Sequence, residues 1–184
     1  SNFAAKAEPD GYTLYAASTS LVINPYLQSQ VGYQIRDFVP VSLLAVTPFL
    51  LQVNAAFPAR DLKELVAHVR ANPDKFNMAS SGVGAVNHLA AELFRSSAGL
   101  KIGLVPYKGG AQAGQDVAGG RAEMMFSAVI EALPHMQSGR TRALAISSAR
   151  RLEAFPDIPT VEEAAGMQGF EAIFWQAMVV PAGT

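Results

Sequence analysis

The sequence contains no cysteine among its 184 residues, which excludes disulfide scaffolds, cysteine metal sites and thiol nucleophiles. Charged residues make up only 16% of the chain, and the formal net charge is −1. A nucleic-acid partner, which usually requires a basic stripe, is therefore not expected. No hydrophobic run reaches the roughly 18 residues of a membrane span. Hydrophobic residues nevertheless supply 50% of the chain, which is ample for a folded core.

Segments with strand character and segments with helix character alternate along the chain. Apolar residues recur at helical spacing from Leu62 to Val69 and again from Val86 to Phe94. Thr160, with Glu163 three residues later, matches the capping box that starts a helix. Strands separated by helices in this way predict an α/β fold with a mainly parallel sheet.

The stretch from Ala79 to Ala85 (sequence ASSGVGA) leads from a predicted strand into a predicted helix. The first turn of a helix has unpaired N–H groups and a partial positive charge, so it attracts anions. Glycines let a ligand approach the backbone closely, and serine hydroxyls add donors. The stretch therefore indicates an anion site. The alternative is that Ser81 simply caps the helix while the glycines form the turn.

Nucleotide-binding motifs match this chain poorly. Gly82 and Gly84 begin a dinucleotide fingerprint, but Asn87 stands where its third glycine is needed. Gly109 and Gly114 have the spacing of a phosphate-binding P-loop, but the lysine and the Ser/Thr that should follow are absent. A nucleotide-using α/β enzyme with a degenerate glycine loop is kept as an alternative.

Catalytic and metal-binding patterns are equally weak. His68, His88 and His135 lie far apart without metal-ligand spacing, so we expect neither a metal site nor a cofactor. No pair of carboxylates stands out as a general acid and base, and catalysis is not expected. Tyr107, which follows a predicted strand, could supply an aromatic wall to a binding crevice. Ser127 follows another strand and could face the same crevice.

Several short motifs occur in a characteristic order over nearly the whole chain. They are Pro9-Asp10-Gly11-Tyr12-Thr13-Leu14, Asn24-Pro25, Asp37-Phe38, Ser80-Ser81-Gly82-Val83-Gly84, His88-Leu89, Val105-Pro106-Tyr107-Lys108-Gly109-Gly110, Phe155-Pro156-Asp157-Ile158-Pro159-Thr160, Trp175 and Pro181-Ala182-Gly183-Thr184. No single motif is specific, but the ordered set resembles the Bug, or TctC-like, family of tripartite tricarboxylate transporter receptors.

This resemblance implies a periplasmic binding protein-like fold of type II, in which two α/β domains close on a ligand as a Venus flytrap. It implies that residues 1–39 are part of the first domain, that 40–169 form the second, and that 170–184 cross back into the first. Further parts of the first domain are then expected before Pro9 and after Thr184. The periplasmic location also follows from the resemblance, although no signal peptide pattern is present in this chain.

The resemblance further implies a receptor that captures a small carboxylate, hands it to membrane permease subunits and performs no chemistry. An oligomer is not required. A subunit that presents its ligand to a sensor instead of a permease is a second alternative. Small polar and backbone groups, rather than an arginine clamp, are expected to hold the ligand. The ligand-binding residues expected in this chain are Ser18, Thr19, Ser20, Ser80, Ser81, Gly82, Val83, Gly84, Ala85, Tyr107 and Ser127.

Overall fold

Helices and strands alternate along most of the chain, which the computed structural model describes over residues 1–184. In chain order the elements are α1 (Asn2–Ala5), β1 (Tyr15–Ser18), α2 (Ser20–Leu27), a short 3₁₀ helix (Ile35–Asp37), β2 (Phe38–Asn54), α3 (Leu62–Ala71), β3 (Asn77–Ser80), α4 (Val86–Ser97), β4 (Gly103–Pro106), α5 (Gly110–Ala118), β5 (Met124–Ala128), α6 (Val129–Gln137), β6 (Thr141–Ile146), α7 (Val161–Ala165) and β7 (Ile173–Pro181). None of the helices has both the length and the hydropathy that a membrane span requires.

The chain divides into two units. Unit 1 comprises Ser1–Thr47 and Phe174–Thr184, and unit 2 comprises Pro48–Ile173. The sequence placed the domain boundaries a few residues earlier, after residues 39 and 169. The first boundary lies within a single long strand, β2, which continues from unit 1 into unit 2. That the units correspond to the first and second domains of a receptor stays a prediction.

Unit 1 is built around β1, β7 and the first half of β2. β7 lies between the other two strands and runs antiparallel to β1. Leu21, Tyr33 and Phe38 form part of a small apolar cluster, and the Tyr33 hydroxyl donates to the Leu21 carbonyl at 2.9 Å. Much of β2 in this unit carries exposed apolar side chains: Val39, Val41, Leu43, Leu44 and Val46.

Unit 2 contains a sheet with the strand order β6-β2-β5-β3-β4. β3 pairs in parallel with β4 and with β5, whereas β2 is antiparallel to both β5 and β6. β3, β4, β5 and β6 therefore run in one direction and β2 in the other, so the expectation of a mainly parallel sheet is confirmed. The carboxyl ends of β3, β4 and β5 consequently lie along one edge.

Both faces of this sheet are covered, which is typical when parallel strands predominate. On one face Phe94 of α4 packs edge-on against Phe126 of β5, with ring centroids 5.9 Å apart, and Phe170 stacks on Phe126 at 5.9 Å. On the other face Ala113 and Val117 of α5 pack against Met125. Successive side chains of a strand point to opposite faces, so the run Met124–Phe126 serves both cores.

The start of α7 confirms the capping box predicted from the sequence. Thr160 Oγ1 accepts a hydrogen bond from the Glu163 amide at 3.1 Å, and Glu163 Oε2 accepts one from the Thr160 amide at 2.9 Å. Gly166 ends the helix with a φ of 68°, a left-handed conformation that suits glycine. The Thr160 amide and the Arg151 guanidinium both hold the pKa of Glu163 below its usual value.

We expect Phe126→Ala to lower the free energy of unfolding by about 3–5 kcal/mol, because it removes a fully buried ring between two other rings. Urea denaturation followed by far-UV circular dichroism measures this change. The control is Ile130→Ala in the same chain segment, where the side chain is 80% exposed and the change should stay within about 0.5 kcal/mol. Equal effects of the two substitutions would contradict this assignment of the core.

Candidate ligand-binding edge

Three helices of unit 2 begin directly beyond the carboxyl ends of parallel strands. α4 follows β3 after residues 81–85, α5 follows β4 after residues 107–109, and α6 follows β5 without an intervening loop. Because β3 lies between β4 and β5, the three helix N-termini lie along the same edge of the sheet. We call this the carboxyl edge. In open α/β sheets this is where ligands bind.

The N-termini at the carboxyl edge have no side-chain caps. The N-cap residues of α4, α5 and α6 are Ala85, Gly109 and Ala128, and none makes a side-chain capping bond. By contrast, Asp61 caps α3 and Thr160 caps α7 through side-chain oxygens. The first-turn N–H groups at the carboxyl edge therefore have no capping side chain, and those of α4, which also has no acidic residue in its first turn, can bind an anion.

The loop between β3 and α4 brings its backbone to the surface. Gly82 and Gly84 have φ values of 141° and 78°, which residues with a Cβ rarely adopt. A Cβ on Gly82 would lie 3.6 Å from the Tyr107 carbonyl oxygen, so this loop passes close to the next strand's exit. Val83 is 80% exposed, which leaves its peptide groups open to a ligand.

Asn87 anchors this loop, and sequence reasoning missed that role. Its Oδ1 accepts hydrogen bonds from the Ser81 amide at 3.2 Å and the Ser81 hydroxyl at 2.8 Å. Its Nδ2 donates to the Phe126 carbonyl at 3.2 Å. The alternative in which Ser81 caps α4 is therefore wrong, because its hydroxyl donates to Asn87 instead. The available signal was an amide residue in the first turn of a helix that lacks a capping side chain.

Ser80 and Ser127 are buried at the ends of two neighbouring strands. Both are 0% exposed, and neither hydroxyl oxygen has a hydrogen-bond partner within the protein. A buried hydroxyl without a partner costs free energy, so such groups usually mark a ligand or an ordered water. Ser127 immediately precedes Ala128, the uncapped start of α6. Two of the residues predicted from the sequence are thus polar groups in need of a partner at the carboxyl edge.

Tyr107 lies at the same edge, but its side chain is directed towards α5. The ring packs against the apolar cluster that contains Ala113 and Val117. Burial, and then the nearby carboxylate of Asp116, raises the pKa of the Tyr107 hydroxyl. Asp116 in turn pairs with Arg121 at 2.6 Å, which lowers the pKa of that carboxyl. The contact of Tyr107 with a ligand stays a prediction.

The predicted loop of unit 1, Ser18 to Ser20, joins β1 to α2. The hydroxyl oxygens of Ser18 and Ser20 lie 2.8 Å apart. Thr19 Oγ1 accepts a hydrogen bond from the Trp175 amide at 3.0 Å, which ties the loop to β7. Thr19 is the N-cap of α2 but makes no side-chain capping bond. This helix therefore also begins with free N–H groups.

Uncapped helix starts at the carboxyl ends of strands, with small polar side chains around them, are an arrangement with which α/β proteins can bind anions. The chain belongs to the family described as "Tripartite tricarboxylate transporter family receptor", TctC, whose model matches residues 1–184. The predicted membership in the Bug and TctC-like family is thereby confirmed. The predicted periplasmic binding protein-like fold is confirmed by solved structures that superpose on the whole chain with TM-scores of 0.84 and 0.85.

Three comparisons illustrate the relationship. The "UPF0065 protein in tcbD-tcbE intergenic region" of a Pseudomonas species is 40% identical over 100% of this chain and 55% of its own length. "Protein BugT" of Bordetella pertussis is 36% identical over 98% of this chain and 56% of its own length. The structure "R. palustris Rpa4515 with adipate" superposes with a TM-score of 0.85 at 32% identity, over 100% of this chain and 62% of its own. The chain thus spans little more than half the length of the relatives.

We expect Asn87→Ala to loosen the loop between β3 and α4. The substitution leaves the Ser81 amide and the Phe126 carbonyl without their partner, and each loss costs about 1–3 kcal/mol. Hydrogen exchange of the Ser81 amide should therefore accelerate roughly tenfold or more. Ser81→Ala, which removes only the hydroxyl bond, should have a smaller effect. Unchanged protection in Asn87→Ala would show that Asn87 does not anchor the loop.

We also expect two substitutions to move the pKa of Tyr107 in opposite directions. Asp116→Asn should lower it, because the carboxylate favours the neutral phenol, while burial keeps it above its ordinary value. Arg121→Ala should raise it, because the guanidinium favours the phenolate. Titration of the Tyr107 resonances by NMR checks both signs. Shifts in the same direction would disprove the placement of this side chain beside Asp116.

Proposed function

We propose that this chain is part of a periplasmic receptor that captures a small carboxylate and performs no chemistry on it. The observation that carries the proposal is the set of uncapped helix N-termini at the carboxyl edge beside the unpartnered hydroxyls of Ser80 and Ser127. Free N–H groups bind a carboxylate through charge-assisted hydrogen bonds, and buried hydroxyls can donate to its oxygens. No group positioned for acid–base or nucleophilic catalysis is needed.

The carboxylate is proposed to lie at the start of α4, in contact with the backbone from Gly82 to Ala85. α4 has no acidic residue in its first turn, so nothing within the helix competes with the ligand for the positive terminus. Ser81 contributes by holding the loop through Asn87. The loop of Ser18 to Ser20 is proposed as a further contributor from unit 1. A family structure that carries adipate supports a carboxylate as the ligand class.

The proposed partners are the membrane permease subunits of a tripartite tricarboxylate-type transporter. The family description supports this role, which belongs to the whole receptor. The periplasm is proposed as the location on the same ground. A nucleotide-using enzyme is the less favoured alternative, because the loop from Ser81 to Ala85 contains no cationic residue for phosphates.

We expect the double variant Ser81→Ala, Gly84→Val to lose carboxylate binding. The valine would force a φ of 78° on a residue with a branched side chain, so the amides at the start of α4 would be displaced. Titration calorimetry and thermal-shift measurements with hexanoate, adipate, succinate and ATP provide the readout. Binding of the carboxylates should weaken at least roughly tenfold, which corresponds to about 1.4 kcal/mol.

The matched control is Gly139→Val, which introduces the same strain at a φ of 68°. Gly139 follows α6 and precedes β6, so it lies at the opposite edge of the sheet, and no other group comes within 4 Å of its Cβ position. Carboxylate binding should survive this substitution. Stabilisation by ATP and by none of the carboxylates would overturn the receptor proposal in favour of the nucleotide-using enzyme.

A further inference from the structure

The carboxylate of Glu131 lies against the first residue of α5. Glu131 is in the first turn of α6, and its carboxylate lies so close to Gly110 that a Cβ there would come within 2.6 Å of Oε1 and 2.8 Å of Cδ. Gly110 does not have a left-handed backbone conformation, so its backbone does not require glycine. The effect of the glycine is steric, because a side chain would collide with Glu131. The absent side chain thus makes room for an acidic group at the carboxyl edge.

This carboxylate has no cationic partner. The ion pairs of the chain are Arg95–Glu92, Arg121–Asp116 and Arg151–Glu163, and none includes Glu131. Instead, Glu131 lies between two uncapped helix starts, those of α5 and α6, whose N-caps are Gly109 and Ala128. The partial positive charges of these termini favour a negative group there. The negative charge of Glu131 therefore offsets the partial positive charge at the starts of α5 and α6. The start of α4 has no acidic residue of this kind.

We propose that Glu131 is a specificity-determining residue. It admits one carboxylate of the ligand, at the start of α4, and disfavours a second one near the starts of α5 and α6. The inference rests on the proposed carboxylate site at α4. β4 and β5, which lead into α5 and α6, are the neighbours of β3, and neighbouring strands lie about 4.8 Å apart. A ligand of four to six carbons that is held at the end of β3 is therefore long enough to extend past the ends of these strands. A second carboxylate directed towards α5 or α6 would meet the charge of Glu131, whereas a neutral or cationic group would be accepted there.

The test compares two probes of equal chain length, hexanoate with one carboxylate and adipate with two. Affinities are measured by titration calorimetry on the full chain and on the variants Glu131→Gln, Gly110→Ala and Asp74→Asn. We expect the wild type to bind hexanoate more tightly. Two like charges in close contact weaken binding, and Glu131→Gln removes one of them for adipate only. The ratio of adipate affinity to hexanoate affinity should therefore rise roughly tenfold or more in this variant.

The other two variants separate position from net charge. Gly110→Ala displaces the flexible end of Glu131 without removing its charge, so the ratio should shift in the same direction by a smaller factor. Asp74→Asn removes one negative charge from an exposed residue that precedes the amino end of β3, at the opposite edge of the sheet, so the ratio should stay unchanged. Circular dichroism confirms that each variant is folded.

The outcomes distinguish this inference from the function on which it rests. If both probes bind and Glu131→Gln leaves their ratio unchanged, the role of Glu131 is refuted while the carboxylate site stands. The same holds if Asp74→Asn shifts the ratio as much as Glu131→Gln does, because the effect is then one of net charge. If neither probe binds the wild type, the carboxylate site and the role of Glu131 both fail.

Discussion

The parallel pairing of β3 with β4 and β5 is the constraint on which the rest of unit 2 depends. Parallel neighbours end at the same edge, so the helices that follow them begin there together. A helix start carries free N–H groups and positive partial charge, and several starts together concentrate that charge. A chain with a net charge near zero can thus present an anion-binding edge.

The helices of unit 2 start in two different ways. α3 and α7 begin with Asp61 and Thr160, whose side chains satisfy backbone donors. Such caps add about 1 kcal/mol each to stability. α4, α5 and α6 have no side-chain caps. Beside them, the buried hydroxyls of Ser80 and Ser127 have no hydrogen-bond partners within the protein. In the proposed receptor, the bound ligand would supply the hydrogen bonds that these groups lack within the chain.

Within this edge the charges are not equivalent. Glu131 neutralises the starts of α5 and α6, while Asn87 uses its buried amide to fix the loop at the start of α4. The start of α4 therefore has a fixed loop and no acidic side chain, whereas the starts of α5 and α6 share the carboxylate of Glu131. The proposed site would thus discriminate between ligands by the position of the negative charge along their length.

The sequence by itself determined the alternation of helices and strands, the capping box of Thr160 and the glycine loop before α4, because these depend on neighbouring residues only. It also carried the family resemblance, through motifs in a fixed order. Only the tertiary structure decided that Asn87 receives the Ser81 donors, that Ser80 and Ser127 are buried without partners, and that Glu131 lies on Gly110. The partners in these contacts come from different strands and helices, and strand order and direction, which bring them together, leave no local pattern in a sequence.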